Sequence, residues 1–175
     1  MRSDMSSGTS SARRRKQVAL VIGSGSVQCA AALGMWKVLQ REGIEIDLLV
    51  GCSGGSLYAS VMALGNDVAT CERLTRELWT PALTTQRDLS SLLSAIMPRF
   101  CKFDGSFGMV SDKPLMKALD QLYGDKRFED TAIPLRNAAT DLHSGRMTTL
   151  AQGSVRDAVR ASIAIPYIWK PWQIE

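Results

Sequence analysis

The stretch Leu48-Leu49-Val50-Gly51-Cys52-Ser53-Gly54-Gly55-Ser56-Leu57-Tyr58-Ala59 decides how this chain is read. Ahead of it, Ile44, Ile46, Leu48, Leu49 and Val50 make a short run rich in leucine and β-branched residues, the pattern of a buried parallel strand. Behind it, residues 56–64 have the pattern of a helix that stops at Gly65-Asn66. A lone serine between small residues at such a junction has the form of a nucleophile elbow, a sharp strand-to-helix turn in strained backbone. Side chains on its neighbours would crowd that turn, which gives Gly51, Gly54 and Gly55 a steric purpose. The helix that follows aims its free N–H groups and positive dipole end at the serine oxygen, favouring a developing oxyanion.

The same order of elements repeats upstream. Residues 17–22 read as a strand, Gly23-Ser24-Gly25-Ser26 as a glycine turn, and residues 29–42 as a helix ending at Gly43. A βαβα order implies a right-handed crossover and a mainly parallel sheet. The fold class expected is α/β, a three-layer α/β/α arrangement. Further along, Asp67 is placed to cap a helix carrying Val68, Cys71, Leu74 and Leu78, which halts near Pro81. Residues 82–109 lose this regularity, and aromatics mix with basic residues at 98–103. A mobile cap or lipid-contacting flap is one reading of that segment, a packed connection the other. Residues 113–123 read as a helix, 136–142 and 147–150 as strands joined through His143-Ser144-Gly145, and Ser154 as the cap of a helix reaching about residue 162.

Composition sets the outer bounds. At 175 residues, with 45% hydrophobic and 22% charged, the chain suits one domain with an ordinary core. The net charge of +4 owes much to Arg13-Arg14-Arg15-Lys16. Residues 1–16 are expected to be a disordered basic tail, and residues 17–175 the domain. The tail is either a solvated extension or an attraction for anionic lipid head groups. The apolar stretch after the basic cluster is too short for a secretory signal, and no segment reaches membrane-spanning length. Cys29, Cys52, Cys71 and Cys101 have no metal or disulfide spacing, and the chain holds a single histidine. The expectation is no metal, no cofactor, no nucleic acid, no readable protein partner and a cytoplasmic location, with peripheral contact to membranes.

A serine hydroxyl needs a base and an oxyanion hole before it attacks an ester. Backbone N–H groups of Gly23, Ser24, Gly25 and Ser26 supply the hole if that loop lies beside the elbow, as adjacent parallel strands ending at one sheet edge would place it. Read alone, Gly23-Ser24-Gly25 with Asp47 is a weak dinucleotide fingerprint, because Cys29 stands near the place of the third glycine. His143 is a poor base. Asp141, its only near acid, sits two residues away on the same strand end, and the pair reads as a turn. A carboxylate acting directly on Ser53 is the alternative, a Ser-Asp dyad.

With those residues in view, the chain resembles the patatin-like phospholipases over nearly everything after residue 16. The pieces that match are Gly23-Ser24-Gly25-Ser26-Val27-Gln28, Gly43-Ile44-Glu45-Ile46-Asp47 leading into Gly51-Cys52-Ser53-Gly54-Gly55, Ile133-Pro134-Leu135 before Ala139-Thr140-Asp141-Leu142, and Ala161-Ser162-Ile163-Ala164-Ile165-Pro166. The resemblance implies hydrolysis of acyl esters of lipids by a Ser-Asp dyad. It makes Ser53 the nucleophile and Gly23 and Gly25 with their neighbours the oxyanion loop. Two departures follow. Gln28 and Cys29 stand where the family has a basic residue and a glycine, removing a charge-assisted hydrogen bond. The family's Asp-Gly-Gly or Asp-Gly-Ala motif falls beyond Ala161-Ser162-Ile163-Ala164-Ile165-Pro166, and the chain closes at Glu175. Asp104-Gly105 precedes that block and does not take the role. The expectation is therefore the N-terminal part of a patatin-like domain, with a Ser-Asp dyad whose Asp is not in this chain, acting poorly alone on phospholipid or lysophospholipid. The competing expectation is a catalytically impaired lipid-binding or regulatory module on the same fold.

Overall fold

The computed structural model describes residues 15–80, 83 and 108–174. Four strands form one sheet in sequence order: β1 (Ala19–Ile22), β2 (Leu48–Cys52), β3 (Leu135–Thr140) and β4 (Met147–Leu150). The first three run parallel, with Ile22 opposite Gly51 and Cys52 opposite Ala138, and β4 returns antiparallel to β3. The mixed α/β class and mainly parallel sheet are those the sequence implies. Strands that add in sequence order through right-handed crossovers place their helices on one face, so among the described residues the sheet carries one helix layer and not the two of the expected three-layer arrangement. That face carries Ile22, Leu49, Gly51, Leu135 and Asn137, all buried, whereas Val21 on the other is 66% exposed.

Five helices accompany the sheet: α1 (Ala31–Arg41), α2 (Gly54–Ala63), α3 (Val68–Leu78), α4 (Asp112–Tyr123) and α5 (Val155–Ser162). Every residue of α2 is buried, as its unbroken run of small and apolar side chains requires. The Tyr123 hydroxyl of α4 donates to the Leu57 carbonyl at 2.8 Å, and burial raises its pKa. Cys71 of α3 is likewise buried, which pushes its thiol up to about 12. Asp67 and Ser154 cap their helices as expected, accepting from the backbone of Thr70 at 2.7 Å and Asp157 at 3.2 Å. Gly34 lies inside α1 with open space where a side chain would stand. Gly34→Ala is expected to stabilise the fold by about 0.5–1 kcal/mol through helix propensity, read as a higher denaturation midpoint at unchanged slope.

Several boundaries differ from the sequence expectation. The strand leading to the elbow covers Leu48–Cys52, because Ile44 and Ile46 lie in the irregular connection after the turn at Gly43, φ 65°. The 44 amide bonds back to Leu39 at 2.9 Å and Ile44 stays 41% exposed. Residues 26–30 form a single 3₁₀ segment before α1 begins at Ala31. Strand β3 ends at Thr140, where Asp141 starts a turn that leaves Leu142 54% exposed. Within the basic segment assigned to the tail, Arg15 pairs with Asp47 and, at 3.3 Å, with Glu45. The suggested cap at 82–109 falls almost wholly outside the described residues, as do residues 1–14.

Candidate active site

The site forms where β2 gives way to α2. Ser53 sits between them at φ 51° and ψ −125°, backbone that a non-glycine residue occupies at a cost of about 1–3 kcal/mol. Three close approaches hold it there. A Cβ on Gly51 would lie 2.4 Å from the Ser56 Cα, one on Gly54 2.6 Å from the Ser26 nitrogen, and one on Gly55 2.1 Å from the Ile22 carbonyl oxygen. These distances also fix the loop after β1: its backbone passes directly over the elbow. The structure thus brings Gly23, Ser24, Gly25 and Ser26 beside Ser53. Ser24 reaches across as well, its hydroxyl 3.3 Å from the Cys52 sulfur.

The loop accommodates its unusual residues internally. Cys29 is buried and its thiol donates to the Gly23 carbonyl at 3.2 Å, while burial raises its pKa. Gln28 is exposed, and its backbone N–H donates to the Gly25 carbonyl at 3.0 Å, closing a turn. Asp47 accepts from the Val18 amide at 2.7 Å and from Arg15, and the Val18 bond foremost holds its carboxyl below the ordinary range. These contacts occupy Asp47 in tying the starts of β1 and β2 together.

Ser162, at the end of α5, is a site residue that side-chain chemistry did not single out. Its hydroxyl accepts the Ser53 N–H at 2.8 Å and donates to the Ala138 carbonyl of β3 at 2.6 Å. The only sequence signal was its place in Ala161-Ser162-Ile163-Ala164-Ile165-Pro166. Ser162→Ala orphans the elbow amide and is expected to cost about 1–3 kcal/mol, measured by chemical denaturation. Ser56 adds a second clamp, its hydroxyl donating to the Ser53 carbonyl at 2.6 Å.

Beside Ser53 opens a cavity of about 120 Å³. Ser26, Ser53 and Gly54 form its polar side, and Leu57, Leu78, Trp79, Leu83, Leu115, Ile163, Ile165 and Trp169 the apolar remainder. Residues 108–110 pair with 167–168 along this wall, through Met109 to Tyr167 at 2.9 Å and Val110 to Ile168 at 3.0 Å. No carboxylate or imidazole lines the cavity among the described residues. His143 and Asp141 are exposed in the β3–β4 turn, where the Asp141 carboxylate accepts from the Ser144 hydroxyl at 2.7 Å and the His143 amide at 2.9 Å. Those bonds, the Ser144 one foremost, lower its pKa and occupy it as a turn acceptor. No group of three His, Cys, Asp or Glu side chains is placed to hold a metal among the described residues. The described cysteines Cys29, Cys52 and Cys71 are free thiols.

An α/β sheet with a strained serine between strand and buried helix, under a glycine loop and against an apolar cavity, is the architecture of α/β serine acyl hydrolases. The model of the patatin-like phospholipase family matches residues 20–175, and the chain belongs to that family. An NTE family protein of Mycobacterium tuberculosis is 30% identical over 168 residues, 96% of this chain and 42% of the relative. Human patatin-like phospholipase domain-containing protein 6 is 28% identical over 148 residues, 85% of this chain and 10% of its own length. The chain thus spans less than half of the curated relatives it matches. Among solved structures, ExoU of Pseudomonas aeruginosa, in complex with SpcU, aligns at a TM-score of 0.56 and 18% identity, covering 87% of this chain and 39% of that one. VipD of Legionella pneumophila aligns at 0.54 and 14%, covering 91% and 44%. These two likenesses concern the fold.

Proposed function

We propose that Ser53 is the nucleophile of a lipid acyl-ester hydrolase acting on phospholipid or lysophospholipid. The observation that carries this is the strained Ser53, φ 51°, at the polar end of an otherwise apolar cavity. Its Oγ attacks the ester carbonyl carbon, forming a C–O bond while the carbonyl electron pair moves onto oxygen. Backbone N–H groups of Gly54 and of the loop Gly23, Ser24, Gly25 and Ser26 receive that oxyanion, helped by the positive end of α2. Collapse expels the glycerol oxygen, which leaves as the alcohol with the proton Ser53 gave up. Water then releases the fatty acid and restores Ser53. Gly51 and Gly55 hold the elbow, and the apolar walls take the acyl chain.

Proton removal from Ser53 falls to a carboxylate, by family likeness the aspartate of an Asp-Gly motif following residues 161–166. Without that base, Ser53 is expected to turn over slowly, above a floor of about 10³-fold over water that the oxyanion donors and binding supply by themselves. The rim supports work at a lipid surface. Ile165 is 49% exposed at the cavity, with Tyr167 at 69% and its backbone partner Met109 at 38%. Cytoplasmic residence with peripheral membrane contact is the setting that fits free thiols and this rim. No described helix is long and apolar enough to cross a membrane. Fatty-acid release from lysophosphatidylcholine tests the reading. Slow release by the wild-type chain, reduced by Ser53→Ala to the floor that the oxyanion donors and binding supply, is expected; equal release by both contradicts it.

A further inference from the structure

A second, smaller apolar cavity adjoins the one at Ser53 on the side of α3. It holds about 10 Å³, space for a single water, and is lined by residues of α1, α2, α3 and α4, among them Tyr58, Cys71 and Leu74. The two cavities share Leu57 and Leu78 as walls. Trp79 faces the outer cavity and Tyr58 the inner one, and a hydrogen bond of 2.8 Å from the indole Nε1–H to the Tyr58 hydroxyl oxygen joins them across the divide.

We propose that the Trp79–Tyr58 pair is a latch that sets the length of acyl chain the outer cavity accepts, with the inner cavity as the extension it closes off. Both partners are held from behind. Tyr58 is 3% exposed on the fully buried α2, and Trp79 ends α3 with its amide bonded to the Thr75 carbonyl at 3.1 Å. An indole donor facing hydrocarbon needs an acceptor, and the Tyr58 hydroxyl supplies it only while the ring stays across the passage. With the latch closed, a tail entering past Ser53 ends against the indole. With it open, Leu57 and Leu78 become the sides of one continuous channel into the helix layer. The pair therefore acts as a specificity-determining element and takes no part in the bond-making at Ser53. The inference rests on the acyl-ester reading of the site.

Binding of saturated fatty acids of increasing length tests it without requiring turnover. In a Ser53→Ala background, displacement of a fluorescent fatty acid is expected to improve by about fourfold per methylene up to a cutoff, then to level off. Trp79→Ala removes the barrier, and Tyr58→Phe removes only the acceptor oxygen. In both, the cutoff is expected to move by about one methylene or more, and in Tyr58→Phe, whose ring lies outside the outer cavity's lining, affinity below the old cutoff is held within about threefold. Tyr58→Phe preserves ring packing and carries the test where Trp79→Ala lowers the melting temperature too far. An unchanged cutoff in a folded Tyr58→Phe protein, with fatty acids bound, overturns the latch and leaves the acyl site standing. Absence of binding at every chain length in all three proteins overturns the acyl reading itself, and the latch with it.

Discussion

Gly55→Ala is expected to lower stability by about 3 kcal/mol or more, among the largest effects available to a single methyl group. The added Cβ would sit 2.1 Å from the Ile22 carbonyl oxygen and 2.5 Å from that of Gly23. Both are backbone atoms of the strand end and loop that face the elbow, so no side chain can swing aside. Relief requires β1 and α2 to separate, and α2 is the helix on which the buried face of the sheet rests. Gly23→Ala, at the residue directly after the last paired residue of β1, meets nothing within 4 Å and serves as the control. Thermal melts should show Gly55→Ala lower by roughly 6–12 °C, at about 2–4 °C per kcal/mol for a domain of this size, and Gly23→Ala near wild type. Comparable melts for the two would mean that the loop does not press on the elbow.

The second large effect centres on Arg160, whose side chain is completely buried on α5. One guanidinium nitrogen donates to the Asp112 carboxylate at 2.8 Å and to the Lys170 carbonyl at 2.7 Å. Its Nε and Nη1 have no hydrogen-bond partner among the described residues and face aromatic surface instead. The Trp172 and Trp169 ring centres lie 5.2 and 5.9 Å from the guanidinium carbon, a distance at which the ring faces attract a cation. Asp112→Ala removes the one carboxylate on this buried charge among the described residues and is expected to cost about 3–5 kcal/mol, the range for breaking a buried pair by deleting one partner. Arg160→Met removes the charge and keeps much of the volume, so it should cost less than Asp112→Ala. Urea denaturation of the two variants distinguishes the outcomes. If Arg160→Met proves the more damaging, the guanidinium's contacts to Trp169, Trp172 and Lys170 outweigh its burial cost.

Much of this arrangement was legible in the residues because local and global signals agree along the first half of the chain. Two apolar runs, each ending in glycine and serine and each followed by a helix, leave few alternatives to adjacent parallel strands with their loops at one sheet edge. That reasoning placed Gly23, Ser24, Gly25 and Ser26 beside Ser53. Boundaries were less legible, since Ile44 and Ile46 carry strand-like side chains but lie before the hydrogen-bonded ladder begins. Ser162 was hidden because its contribution is a single hydroxyl bridging Ser53 to Ala138, a tertiary contact across 109 residues of sequence with no local pattern. Arg160 was hidden for a related reason. An arginine in a capped helix reads as a solvated charge until the fold shows Asp112, Trp169 and Trp172 closing around it. The Trp79–Tyr58 contact also depends on how α2 and α3 pack.

Treatment of the chain with a fluorophosphonate probe, followed by intact-mass measurement and peptide mapping, tests the assignment of Ser53 most directly. One adduct on Ser53, absent from Ser53→Ala, is the predicted result. A wild-type chain that gains no mass, or an adduct that persists in Ser53→Ala, would contradict it.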